Sequence, residues 1–331
     1  MPMRPISVSR RVSIHRAVFR LRQLSARLLD SPFCPVVILR ASTKMPEGPQ
    51  LIPRLPKLLK TAAAPFGSSF VRILCALCAS VAIPFLSSAQ QTQLNIAAAS
   101  DLKFALTDLA AAYEKQSNLK INLTFGSSGN LFAQIQNGAP FDIFFSADSD
   151  YPRKLNVAGL ALPNSADSYA IGKLVLWSPP NSKLNPEKSG WQSLLDPSVQ
   201  KIAIANPDHA PYGRAAIEAL RSAGLYEKIK PKLVFGGNIS QAAQFVQSCN
   251  AEIGILAASI TSTPAFASGH SWKIPQDQYT PLLQSFVVPK TSTNKDAALA
   301  FLAFVKSPAA QATLEKYGFA KPESLGHPIP R

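Results

Sequence analysis

The chain has 331 residues, 47% of them hydrophobic, and a formal net charge of +15, which is length enough for about two domains and a sizeable core. The charge excludes a nucleic-acid groove rather than suggesting one. Residues 1–89 hold 13 Lys/Arg against 2 Asp/Glu, residues 90–331 hold 21 against 17, and the second stretch has no cluster of basic and aromatic residues.

Residues 1–44 are Arg-rich and acid-poor without helical amphipathicity, and translation is expected to start at Met45. Arg54, Lys57, Lys60 and Arg72 precede an apolar run over 73–86, which Ser87-Ser88-Ala89 closes. This is the pattern of a secretory signal with cleavage after Ala89, too short for a comfortable membrane span. Cys75 and Cys78 form a C-x-x-C inside that run and read as two small apolar residues, not as a redox or zinc pair. Removal of the leader leaves Cys249 as the one cysteine, so the exported chain is expected to hold its fold by core burial without an intrachain disulfide.

From Gln93 onward, strands and helices alternate. A strand is expected at 94–99, a helix at 101–116 with apolar residues at 102, 105, 106, 109, 112 and 113, and a strand at 119–126. A helix at 131–136 closes on Asn137-Gly138, a buried strand follows at 141–147, and a helix at 151–158 stops at Gly159. This order predicts an α/β lobe with a mostly parallel sheet flanked by helices. A second lobe opens near Ile171, with strands at 173–179, 201–207, 232–237 and 252–258 and helices at 191–195, 213–223 and 240–248. A strand at 284–289 and helices at 296–306 and 309–317 return to the style of the first lobe. The expected division is 1–89 leader, 90–170 plus 285–323 first lobe, 171–284 second lobe and 324–331 tail. Two chain crossings would leave a ligand cleft between the lobes, facing strand ends.

Four expected strand-to-helix junctions carry small residues and hydroxyls: 97–100 (AAAS), 126–129 (GSSG), 210–213 (APYG) and 236–240 (GGNIS). Each would place N–H groups and hydroxyls at a helix mouth, which binds an anion without a cation. No G-x-S-x-G elbow and no H-E-x-x-H occurs, and beyond the leader only His209, His270 and His327 are present, a poor basis for a nucleophile–base pair. Ser100 and Ser128 read as anion donors or as N-caps, Ser127 as ligand or turn former, and Tyr212 as donor or packing aromatic. Asp101 reads as a first-turn acid facing a helix N-terminus, His209 as structural in its turn, and Asp142 and Asp148 as caps or braces of the lobe interface.

The runs AAASDL (97–102), FGSSGNL (125–131), GAPFDIFFSAD (138–148), NPDHAPYGRAA (206–216), GGNISQA (236–242) and IGIL (253–256) stand in an order that resembles the periplasmic molybdate-binding proteins of ABC transporters, over about residues 93–323. The resemblance implies a two-lobed periplasmic binding protein fold of type II. It implies that molybdate or tungstate is held by neutral donors: Ser100 and Ser128 through hydroxyls and N–H groups, Tyr212 and Ile239 through backbone N–H groups, with Ser127 a further candidate. Molybdenum would enter only as the bound oxyanion, with no direct protein–metal ligand, no cofactor and no catalytic residue. Many members carry a tyrosine where this chain has Ala257, and the Tyr212 phenol is the candidate replacement. The implied partner is the membrane permease of an ABC importer, the implied location the periplasm, and the implied state a monomer that does not bind nucleic acid. The alternatives are a receptor for sulfate or phosphate, a secreted hydrolase, and a cytoplasmic anion sensor. The export leader and the lack of a helix-turn-helix segment stand against the last of these.

Overall fold

Two five-stranded sheets carry residues 92–325, the part of the chain that the computed structural model describes. The expected start at Met45, the cleavage after Ala89 and residues 326–331 of the tail lie outside the described residues. In chain order the strands are β1 (Thr92–Ala99), β2 (Leu119–Gly126), β3 (Ile143–Ser146), β4 (Asp167–Gly172), β5 (Leu174–Ser178), β6 (Ile202–Ala205), β7 (Leu233–Gly236), β8 (Ile253–Ala257), β9 (His270–Lys273) and β10 (Leu282–Val287). The helices are α1 (Lys103–Gln116), α2 (Ser128–Gln136), α3 (Asp150–Val157), α4 (Pro186–Ser189), α5 (Pro211–Ser222), α6 (Tyr226–Ile229), α7 (Ile239–Gln247), α8 (Ala258–Thr261), α9 (Lys295–Val305) and α10 (Pro308–Lys316).

The first sheet has the order β2-β1-β3-β10-β4 and the second β7-β6-β8-β5-β9. In the first, β1 pairs in parallel with β2 and β3, while β10 is antiparallel to β3 and β4. In the second, β6 is parallel to β7 and β8, while β5 is antiparallel to β8 and β9. Each sheet is therefore mostly parallel, as expected, and mixed by a single strand, β10 or β5, that runs against the other four. The reason is connectivity: the chain leaves the first sheet along β4 and returns along the neighbouring β10, so the two run in opposite directions. Sheet membership changes between Gly172 and Leu174, and again between Lys273 and Leu282.

Local pattern explains most elements. In β1, Leu94, Ile96, Ala97 and Ala98 are all 0% exposed, as a strand covered on both faces requires. Helix α9 buries Ala298, Phe301, Leu302 and Val305, the spacing of one helical face. Phe301 there meets the rings of Tyr113 and Phe145 edge-on, at 5.1 and 6.4 Å between centroids. Two strands escape sequence reading. β4 opens with Asp167-Ser168, and β9 reads His-Ser-Trp-Lys; each is the edge strand of its sheet and shows no apolar alternation.

Cys249 is the one cysteine among residues 92–325, so no disulfide joins two described residues. Among the described residues, no single helix is long and apolar enough to cross a membrane.

Candidate functional site

The ends of β1 and β2 and the starts of three helices face one recess between the two sheets. The first lobe lines it with Ala99, Ser100, Asp101, Gly126, Ser127, Ser128 and Ala147; the second lobe contributes Ala210, Pro211, Tyr212 and Ile239. It encloses about 190 Å³ of atom-free space, its mouth included. A recess this small suits a small ion. All five residues that sequence reading put forward, Ser100, Ser127, Ser128, Tyr212 and Ile239, are brought together here.

Ser100 and Ser128 are not N-caps. Ser127 is the N-cap of α2 and Asn238 that of α7, each accepting an N–H of the following turn. Ser128 is instead the first residue of α2, and Ser100 opens a 3-10 turn at Ser100–Leu102. The Ser128 oxygen, 0% exposed, accepts the Ala147 N–H at 3.0 Å. The Ser100 oxygen accepts the Ser240 N–H at 3.4 Å. A hydroxyl that accepts still has its own hydrogen to donate. Tyr212 and Ile239 lie in the first turns of α5 and α7, where backbone N–H groups have no intrahelical acceptor.

Among the described residues, no Lys, Arg or His lines the recess. The positive ends of α2, α5 and α7 supply the favourable potential instead. Such an arrangement replaces the hydration of a small anion with oriented neutral donors.

Asp101 departs from expectation. It does sit in the first turn after β1, but it also lines the recess and is only 1% exposed. Neither carboxylate oxygen has a partner at hydrogen-bond geometry among the described residues. Burial pushes its pKa up from 3.8 to about 7, against the opposing pull of the Tyr212 hydroxyl and the Gln284 amide. Gln284, itself 0% exposed, accepts from the Tyr169 hydroxyl at 3.1 Å and donates to that of Tyr212 at 3.4 Å. Burial, followed by the charge of Asp101, pushes both phenols well above their ordinary range. The Tyr212 hydroxyl is thus held by this buried polar group. Ala257, where the resembling proteins carry a tyrosine, is buried at the end of β8 and does not line the recess.

Around the recess the lobes are bonded to each other. The Gly129 N–H donates to the His209 carbonyl at 2.8 Å, and His209 Nδ1 is hydrogen-bonded to Ser127 Oγ at 2.9 Å. Ser240 Oγ donates to the Ser100 carbonyl at 3.0 Å. Arg214 Nη2 pairs with Asp148 Oδ2 at 2.5 Å, and burial raises the Asp148 pKa against the pull of Arg214 and of its hydrogen bonds. Asp148 is therefore the lobe brace expected of it. Asp142 ties the first lobe internally, accepting from the Asn95 N–H at 2.9 Å and from Ser292 Oγ at 2.8 Å. At Gly129 a Cβ would stand 2.7 Å from the His209 carbonyl oxygen, so the close approach of the lobes requires glycine there.

Sequence reading missed the braces Ser240 and Arg214 and the buried pair Tyr169 and Gln284. Gln284 had a signal, a polar residue opening the apolar run QSFVVP. Arg214 had none, because its partner Asp148 is distant in the chain.

Residues 94–320 match the family of bacterial extracellular solute-binding proteins. The molybdate-binding protein ModA of Rhodobacter capsulatus is 40% identical over 212 residues, 64% of this chain and 82% of that protein. The molybdate-binding protein ModA of Azotobacter vinelandii is 36% identical over 233 residues, 70% of this chain and 91% of that protein. The solved periplasmic molybdate-binding protein of Azotobacter vinelandii superposes with a TM-score of 0.64 at 36% identity, covering 69% of this chain and 99% of that one. The paired mixed sheets flanked by helices share its type II periplasmic binding protein architecture.

Two outcomes follow from this geometry. Gly129→Ala should keep each lobe folded but hold the lobes apart; in small-angle scattering with saturating oxyanion its radius of gyration should exceed that of the parent. A radius and an affinity both unchanged would show that the His209 backbone yields instead. Asp101→Asn bears on stability. With the folded pKa raised from 3.8 to about 7, the folded chain holds a proton that the unfolded chain has lost. The contribution of Asp101 to stability therefore falls as pH rises from about 4 to about 7 and is level above that, by roughly 4 kcal/mol in all. The melting temperature of Asp101→Asn relative to the parent should rise between pH ~4 and ~8; a constant difference would mean that Asp101 is ionised at little cost.

Proposed function

The chain belongs to the bacterial extracellular solute-binding proteins, and on that premise we propose that it captures molybdate, and tungstate with it, in the recess between its lobes and delivers it to an ABC importer. The observation that carries this reading is the convergence of two buried seryl hydroxyls and three helix starts on a recess lined by no cation. The relatives named for molybdate binding support the choice of ligand. In this reading Ser100 and Ser128 donate their hydroxyls to the oxyanion, and Tyr212 and Ile239 donate backbone N–H groups. Ser127 braces the lobes, because its oxygen is already shared between the Asn130 N–H and His209.

The anion is then bound through its oxygens, without a protein–metal bond and without a cofactor. Neutral donors form no ion pair with the ligand, so separation of the lobes suffices for release. The protein acts without catalysis, as a monomer in the periplasm, and its partner is the membrane permease of the importer. Molybdate and tungstate are nearly the same size, and donors of this kind accept both. Sulfate and phosphate are the competing ligands, and a single experiment compares all four.

That experiment is thermal melting of the purified protein with each anion at equal concentration. A ligand that binds only the folded state adds RT ln(1 + [L]/Kd), about 2.7 kcal/mol at a hundredfold excess over Kd. Molybdate and tungstate should raise the melting temperature and sulfate should not; a larger rise with sulfate or phosphate would assign the site to that anion. Ser128→Ala and Ser100→Ala should each weaken molybdate binding by roughly 1.5–3 kcal/mol, about 10- to 150-fold in Kd. Since Ser128 also accepts the Ala147 N–H, melting without ligand is the control for lost fold. Unchanged Kd in both variants would remove the hydroxyls from the donor set.

A further inference from the structure

Among the described residues, Asp101 is the one carboxyl in the wall of the recess, and any oxyanion bound there places its charge beside it. We infer that Asp101 takes up one proton as the oxyanion enters, so that this chain captures its anion and a proton together. The inference rests on the oxyanion reading of the same site and adds the proton to it.

The geometry leaves an ionised Asp101 without a counter-charge. It is 1% exposed, and neither oxygen has a partner at hydrogen-bond geometry among the described residues. The groups that face it are the hydroxyl of Tyr212 from α5, the phenol of Tyr169 from β4 and the amide of Gln284 from β10, with Tyr279 beyond Tyr212. None of these is a cation, and burial pushes all three phenols up, so they remain neutral. The cleft's own charges are engaged elsewhere: Arg214 pairs with Asp148, and His209 is bonded to Ser127. Burial, net of the opposing pull of the Tyr212 hydroxyl, the Gln284 amide and the nearby backbone, already brings the Asp101 pKa to about 7. A second negative charge in the same small recess acts in the same direction, because like charges in a poorly solvated site cannot both persist at low cost.

The proton balance is simple. One proton leaves solvent and adds to a carboxylate oxygen of Asp101, and the same O–H bond breaks when the lobes open and the anion departs. Below the Asp101 pKa of the free protein the group is already neutral, and affinity does not vary with pH. Above it, Kd rises by up to about tenfold per pH unit until the pKa of the complex is reached. Molybdate carries no proton in this range, so the slope belongs to the protein.

The test is calorimetric titration of the protein with molybdate between pH ~6 and ~9, in pairs of buffers with different ionisation heats, whose difference counts protons. Uptake should be near zero at the acid end and approach one proton per anion at the alkaline end. Asp101→Asn should bind with a flat Kd and no uptake, whereas His209→Gln should keep the slope. Zero uptake by the parent at the alkaline end, or uptake that persists in Asp101→Asn, overturns the inference. Should Asp101→Asn fail to melt cooperatively, the carboxyl carbon resonance of Asp101 in the parent replaces it. On adding molybdate at pH ~8 that resonance must move to its protonated position, and a signal that stays put overturns the inference. If molybdate does not bind at any pH, the ligand assignment fails by itself. Tungstate and sulfate, which also carry no proton in this range, are then titrated in the same buffers. Binding of either without uptake overturns the coupling, and binding of neither overturns both readings.

Discussion

An anion withdrawn from water must recover its hydration from the protein, and in the proposed site the recovery depends on neutral groups alone. That constraint decides where the chain may turn. Backbone N–H groups are free only in the first turn of a helix, so several strand-to-helix junctions have to meet at one place. The parallel pairs β1–β2, β1–β3 and β6–β7 bring strand ends together at the same edge of each sheet, and the helices that follow start there. Among the described residues no cation lines the recess, and Arg214 and Asp148, which pair across the lobes, stand apart from its lining.

Adjacent residues divide the work at these junctions. Ser127 caps α2 and holds His209 of the other lobe, while Ser128, first in the helix, lines the recess and accepts the Ala147 N–H. Asn238 caps α7, while Ile239 after it presents a backbone N–H. Before the 3-10 turn and before α5 the cap positions are Ala99 and Ala210, whose side chains cap nothing. A small apolar residue there leaves the first N–H groups open to a ligand, where a Ser or Asp would have bonded them.

Much of this was legible in the sequence, for physical reasons. Strand and helix periods differ, so the alternation from Gln93 onward shows itself, and small residues with hydroxyls mark the junctions because only they let backbone approach a ligand. The direction of β10 was not legible, since nothing local to a strand says which neighbour it will run against. Nor was the state of Asp101. Its neighbours in sequence make it an ordinary first-turn acid, and its environment is set by Tyr169, Tyr212 and Gln284, which the fold imports from other elements. The Tyr212 ring raised the same difficulty: its position in the turn was readable, but the groups that hold its hydroxyl were not.

The place of β10 has a consequence for the order in which the protein is completed. It is inserted between β3 and β4 in the first sheet, yet it is made only after every strand of the second sheet. The second sheet is continuous in the chain from β5 to β9, and those two strands pair with each other, so that lobe can close on itself as soon as it emerges. The first lobe is begun earlier and cannot be finished until this inner strand arrives. Until then β3 and β4 each present an unpaired edge. A polypeptide that crosses a membrane before folding avoids most of that exposure, because the late strand reaches the far side soon after the early ones. The same chain folding slowly from its N-terminus at a ribosome would keep both edges open while the whole second lobe is synthesised.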